Sequence, residues 1–175
     1  MYNTAVESGN LNDRAGAVLL LGKSGGLDFH QEPRAALQLI KITIATAKRM
    51  PTYAASAPLI TLAKAQLEAL PLVDAVAASL RFKLACVDAS KGLVVSSLHA
   101  AEDLLKTHSL DDSEALELAS IATEVGIAYT EQRHHLKALE AIEIAVSISR
   151  KYNAPAKAMV RMMCPSHENS LNQQR

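Results

Sequence analysis

The sequence predicts an all-α chain built of antiparallel helix hairpins. Three observations carry that expectation. The apolar content is Ala, Leu, Ile and Val, with aromatics at 3% and no Trp; Ala and Leu are strong helix formers, and Ala lets helices approach closely. From Pro33 to Cys164, apolar residues recur every three or four positions and do not alternate, so no strand series is expected. Pro and Gly punctuate this pattern at intervals of one helix, and the short links between helices force neighbours to run antiparallel. Two architectures follow: an open row of stacked hairpins or a closed bundle.

Residues 1–32 are expected to be largely irregular, because the first fourteen are polar and lack a helical period. The helical domain is expected over 33–164, and the tail "PSHENSLNQQR", over 165–175, is polar and expected to be disordered. The first helix begins at Pro33, since proline suits the first helical position, and ends by Met50, ahead of Pro51. Its apolar side is Ala36, Leu37, Ile40, Ile44 and Ala47. The second begins near Ser56, with Pro58 in its first turn, and carries Leu59, Leu62, Ala63, Gln66, Leu67 and Leu70 along one side. Pro71 ends it and opens the third, whose stripe is Val73, Val76, Ala77, Leu80, Leu84 and Val87, with Gly92 as its stop. The fourth runs from Leu93 to Thr107, with Leu98, Ala101 and Leu105 in phase.

The fifth helix has a marked start. Asp111 is followed three residues later by Glu114, a variant of the capping box. Leu116, Ala119, Ala122, Val125, Gly126 and Tyr129 then share one face. A break at "EQRHH" leads to a sixth helix over 136–152, with Leu139, Ile142, Ala145, Val146 and Ser149 as its stripe. A short seventh helix is expected from Pro155, with Ala156, Met159, Val160 and Met163 at helical spacing. The cluster Met159, Met162 and Met163 is expected to cap the exposed end of the last hairpin, the alternative being an adaptable surface for a partner helix.

Several functions are excluded from expectation. Formal net charge is +0, so the electrostatic footprint of a nucleic-acid binder is missing. No apolar run reaches the length of a membrane span, and the run Ala17–Leu21 is too short for a signal-peptide core. Two cysteines, Cys86 and Cys164, make no disulfide framework. The stretch "AGAVLLLGKSGG", residues 15–26, ends its apolar run in Gly22-Lys23-Ser24 and invites a phosphate-loop reading. The loop must close around one anion, so its spacing is fixed. If Gly22 closes the motif, the opening glycine falls on Ala17; if Gly22 opens it, the closing pair falls on Leu27 and Asp28. Neither frame works, and no nucleotide is expected.

No metal or cofactor is expected either. Adjacent His134 and His135 would point about 100° apart on a helix and could not share an ion. Cys164 and His167 have ligand-like spacing but no further ligands beside them. Asp111, Asp112 and Glu114 read as capping acids, Cys86 as a small core residue, and Ser24 lacks the context of a nucleophile. No catalytic residue is assigned.

The stretch "ASIATEVGIAYTEQRHHLKALEAIEIAVSISRKY", residues 119–152, resembles a tetratricopeptide repeat. Gly126 and Tyr129 stand where that family places a small residue and a Tyr on its first helix. Ala138, Ile142 and Ala145 match the small, large and small positions of its second. Ala122 replaces the family's Trp, and Arg150 stands where its closing Pro falls. Upstream the likeness is looser: "LHAAEDLLKTHS" (98–109) echoes "IEIAVSISRKYN" (142–153), at a spacing of 44 residues where the family has 34.

The resemblance implies a short right-handed α-solenoid that binds a protein or peptide in a groove lined by the first helix of each hairpin. On the matched repeat the implied groove residues are Ser120, Thr123, Ile127, Thr130 and Glu131. The Ala-rich hairpins also resemble the repeat region of anaphase-promoting complex subunit five, which implies a place in a larger assembly. A sensory module of a regulator is the other form of the same expectation. The expected location is cytoplasmic, or nuclear within a eukaryotic assembly. The alternative is a closed bundle that binds a small molecule or acts as a helical enzyme, with Gln66, His99 and Glu102 as its polar groups.

Overall fold

The structure, a computed structural model, describes residues 10–23, 33–69, 75–108 and 111–152. Among these residues the chain is all-α, with seven helices and no strand. None of the helices is long and apolar enough to cross a membrane. They fall into two compact units, Met1–Leu110 and Asp111–Arg175. The first holds α1 (Leu11–Lys23), α2 (Pro33–Arg49), α3 (Tyr53–Ala69), α4 (Ala75–Gly92) and α5 (Val95–Thr107). The second holds α6 (Asp112–Glu131) and α7 (His135–Lys151).

Helix α1 lies inside the segment expected to be irregular. Its start is specified by Asn10, whose Oδ1 accepts from the Asn12 amide at 3.0 Å and satisfies one of the free donors of the first turn. Leu11, Ala15, Val18 and Gly22 then recur at helical spacing. Ala15 and Val18 are buried, and Gly22 sits against Leu62 of α3. A cap one residue upstream of an Ala- and Leu-rich run was the overlooked sequence feature. The run Ala17–Leu21 is therefore helical and is not the strand that precedes a phosphate loop. Ser24, Leu27 and Asp28 lie outside the described residues, as do Leu70, Val73, Met159, Val160, Met162, Met163, Cys164 and His167.

In the first unit α1 packs on α2 and α3, and α2 packs on both α3 and α4. Helices α3 and α4 also touch, and α5 packs back on α4. Their shared core includes Val18, Ile40, Ile44, Leu59, Ile60, Leu67, Leu80 and Leu84. Helix α3 begins at Tyr53, three residues before its expected start, because Thr52 caps it: the Thr52 Oγ1 accepts from the Ala55 amide at 3.3 Å. Pro58 consequently falls in the second turn. At the outer end of α4, Gly92 is not the left-handed stop that the sequence suggested. Leu93 takes that conformation, with φ 51°, and the Val94 amide donates to the Ala89 carbonyl at 3.3 Å. Gly92 lies close under the exposed Tyr53 ring, and a Cβ there would stand 2.8 Å from it and displace the ring.

Polar ties are few in this core. Thr43 and Thr46 each donate to the carbonyl four residues back at 2.7 Å, which satisfies their buried hydroxyls inside α2. Asp88 joins three helices: Lys64 Nζ of α3 and Ser97 Oγ of α5 both donate to its Oδ2 at 2.8 Å. Lys91 Nζ donates to the Met50 carbonyl at 2.8 Å and ties the end of α4 to the α2–α3 link.

Among its described residues the second unit is one antiparallel hairpin. Asp111 opens α6 with a full capping box, accepting from the Glu114 amide at 2.8 Å while the Glu114 carboxylate reaches back to its own amide. At the other end Arg133 adopts φ 60°. The His134 amide bonds to the Tyr129 carbonyl at 2.9 Å and the Arg133 amide to that of Thr130 at 3.0 Å, a Schellman turn with arginine in the glycine position. Arg133 is exposed, so its backbone conformation is its main constraint. Arg133→Gly is predicted to be more stable than Arg133→Val by about 1–2 kcal/mol, because a β-branched residue is least tolerant of positive φ. Paired urea melts of the two variants check this.

Candidate functional site

The hairpin closes around Gly126. A Cβ at this position would stand 2.7 Å from Ile142 Cγ1 and 3.4 Å from the Ala138 carbonyl oxygen. The absence of that Cβ lets α6 and α7 meet backbone to side chain. Tyr129 lies one turn further on and is buried, with the His134 ring edge-on at 6.0 Å and Lys137 Nζ 5.4 Å from its centre. These are the positions on which the sequence resemblance rested, and they form the contact between the two helices.

Each helix buries one side. On α6 the buried residues are Ala115, Leu118, Ala119, Ala122, Val125, Gly126 and Tyr129. Leu116 was expected among them and is 45% exposed. On α7 they are Ala138, Ala141, Ile144, Ala145, Ile148 and Ser149. The expected stripe of Leu139, Ile142, Ala145, Val146 and Ser149 is rotated from this by roughly a quarter turn at 100° per residue. Leu139 is 55% exposed, and Ile142 and Val146 are half-buried. Of the expected stripe, Ala145 and Ser149 are buried and Ile142 meets Gly126, while Ala138, Ala141, Ile144 and Ile148 are buried outside it.

The side left open has its own composition. On α6, counting 100° per residue from Gly126, Leu116, Thr123 and Ile127 fall within about 40° of one another, flanked by Thr130 on one side and by Ser120 and Glu131 on the other. All five residues inferred from the resemblance therefore share one strip with Leu116, and Leu116 and Ile127 are its exposed aliphatic side chains. Ile127, Thr130 and Glu131 are exposed, and Ser120 and Thr123 are half-buried. The Thr123 and Thr130 hydroxyls donate to the Ala119 and Gly126 carbonyls at 2.8 and 2.9 Å, leaving their lone pairs outward as acceptors. On α7, Leu139, Ile142 and Val146 lie in the same rotational sense from the contact. Because the helices are antiparallel, both strips face one broad side of the hairpin. An open depression of about 590 Å³ runs along the later half of α7, lined by Ile142, Glu143, Val146, Ser147, Arg150 and Lys151.

The polar groups of the alternative reading do not form one cluster. Gln66 is buried on α3 with neither its Oε1 nor its Nε2 hydrogen-bonded, so it bonds to neither His99 nor Glu102. His99 is exposed on α5, and the Glu102 carboxylate pairs with Lys106 at 3.0 Å on the same helix. Cys86 is a buried thiol on α4. His134 precedes α7 and His135 opens it, both exposed. Among the described residues, no three His, Cys, Asp or Glu side chains gather as a metal-binding group. Asp88, which sequence reading did not single out, is the one buried acid tying three helices. Nothing in the spacing of Lys64, Asp88 and Ser97 announces that meeting.

Compared with protein-family models, with curated proteins and with solved structures, the chain gives no match.

The contact at Gly126 sets a test by sign. Alanine in place of glycine in a helix normally adds about 1 kcal/mol. Here Gly126→Ala alone is predicted to lower stability by about 1–2 kcal/mol, because the branched Ile142 side chain must move. In an Ile142→Ala background the same substitution is predicted to be stabilising. Thermal melts of the four proteins in this cycle measure both signs.

Proposed function

We propose that the chain is a non-catalytic protein- or peptide-binding scaffold, a short right-handed α-solenoid of tetratricopeptide-like hairpins. Two features of packing support the architecture. Gly126, Ala138 and Ile142 make the close helix contact that such a repeat requires. In the first unit α2 touches both its hairpin partner α3 and the next hairpin's α4, the neighbour-to-neighbour contact of a stacked row.

One observation carries the function. Leu116 and Ile127, 45% and 37% exposed, lie on the strip of α6 that holds Ser120, Thr123, Thr130 and Glu131. A buried aliphatic pair would have been a core stripe, and a wholly polar strip would have been a solvated face. An apolar strip with hydroxyl acceptors, left open beside a sealed one, suits the docking of another chain. Binding then relies on shape, apolar burial and hydrogen bonds, with no bond made or broken. This reading includes a subunit of a larger assembly and a sensory module whose curvature responds to a bound peptide. It places the protein in the cytoplasm, or in the nucleus within a eukaryotic assembly.

The test is an affinity pull-down from the source lysate with mass spectrometry, comparing the wild type with Ile127→Asp/Thr130→Arg. Circular dichroism establishes that the variant keeps its helices. A partner lost only from the variant is the expected result. A partner retained by both places binding away from α6 and contradicts the reading.

A further inference from the structure

The α6 strip has a charged border. From Asp112 to Glu131 the helix carries Asp112, Glu114, Glu117, Glu124 and Glu131 and no Lys or Arg. The last three glutamates are spaced by seven residues, and seven steps of 100° return almost to the starting direction. Glu117, Glu124 and Glu131 therefore form a ridge nearly parallel to the helix axis. Glu124 stands one turn from both Ser120 and Ile127, and Glu131 one turn from Ile127. Glu124 and Glu131 are exposed, and among the described residues neither has an ion-pair partner. The whole chain has a formal net charge of +0, whereas α6 carries five acids and no Lys or Arg and is itself negative.

We propose that the strip docks a basic amphipathic helix of a partner protein, with apolar side chains against Leu116 and Ile127 and Lys or Arg side chains along the glutamate ridge. This rests on the docking reading of α6 given above and adds the chemistry of the partner. The apolar contacts span eleven residues of α6, or about 16 Å at 1.5 Å per residue, which three turns of a partner helix cover. The Thr123 and Thr130 oxygens accept from Lys or Arg donors that reach across the strip. Charge along the border sets partner choice and association rate more than total affinity, since each exposed pair is weak.

The experiment uses the intact chain and two synthetic 18-residue helices with the same Leu and Ala pattern. One has Lys at every polar position and the other has Glu. Fluorescence anisotropy at low and at physiological salt gives both affinities. The expected result is at least ten-fold tighter binding of the Lys helix, a preference that shrinks with salt and reverses in Glu124→Lys/Glu131→Lys. The control Glu68→Lys/Asp103→Lys makes the same charge change at exposed positions of α3 and α5 and is expected to keep the preference. Ile127→Ser is expected to weaken both helices.

Other outcomes overturn the inference in distinguishable ways. Equal binding of both helices that still depends on Ile127 overturns the basic partner and leaves the docking reading standing. Binding insensitive to Ile127 and to Leu116→Ser overturns both. Concentration-dependent self-association lost in Ile127→Ser assigns the strip to a second copy of the chain. A chain ended at Ala154 that binds ten-fold tighter assigns it to the chain's own "PAKAMVRMM", residues 155–163.

Discussion

The approach of α6 to α7 at Gly126 is the constraint on which the second unit depends. Two helices can meet this closely only where one of them lacks a side chain, and Ile142 and the Ala138 carbonyl fill the space left. That contact fixes the rotation of both helices about their axes. Once Gly126 and Ala138 face each other, Ala122, Val125 and Tyr129 must turn to one broad side and Thr123, Ile127 and Thr130 to the other. The open strip is thus a consequence of the packing: Ile127 and Thr130 are exposed while Ala122 and Val125 are buried. The capping box at Asp111 and the Schellman turn at Arg133 set the length of α6, so the strip from Leu116 to Glu131 runs for about four turns without interruption.

The first unit is held by other means. Its core is aliphatic apart from Phe82, and the buried hydroxyls of Thr43, Thr46 and Ser56 are satisfied within their own helices. Asp88 is the exception. A carboxylate buried among helices would be costly alone, and it is stabilised by an ammonium group and a hydroxyl from two neighbours. Gln66, buried on α3, makes no hydrogen bond to another described side chain.

Much of this was legible in the sequence, for identifiable reasons. Strong local rules located helices: Pro33 at a helix start, Asp111 with Glu114 at another, and Pro51 after a third boundary. Gly126 and Tyr129 were legible through their spacing within a known repeat pattern. The faces of α7 were not. That helix is apolar over much of its circumference, so periodicity selected the exposed Leu139 and the half-buried Val146 along with Ala145, and passed over the buried Ala138 and Ala141. Small residues carry little weight in a hydrophobic pattern and great weight where backbones approach. Helix α1 was missed because its cap, Asn10, sits in a polar stretch without a period of its own. The meeting of Lys64, Asp88 and Ser97 depends on tertiary structure alone.

Thiol accessibility along α6 tests the central claim most directly. In a background of Cys86→Ser and Cys164→Ser, single substitutions Leu116→Cys, Ile127→Cys, Ala119→Cys and Ala122→Cys are labelled with a maleimide under native conditions. An open strip beside a sealed face predicts that Leu116→Cys and Ile127→Cys react at the rate of exposed thiols. Ala119→Cys and Ala122→Cys should then be slower by more than ten-fold. Equal protection at all four positions would mean that the strip is covered within the chain itself, and the account of α6 as a docking surface would not stand.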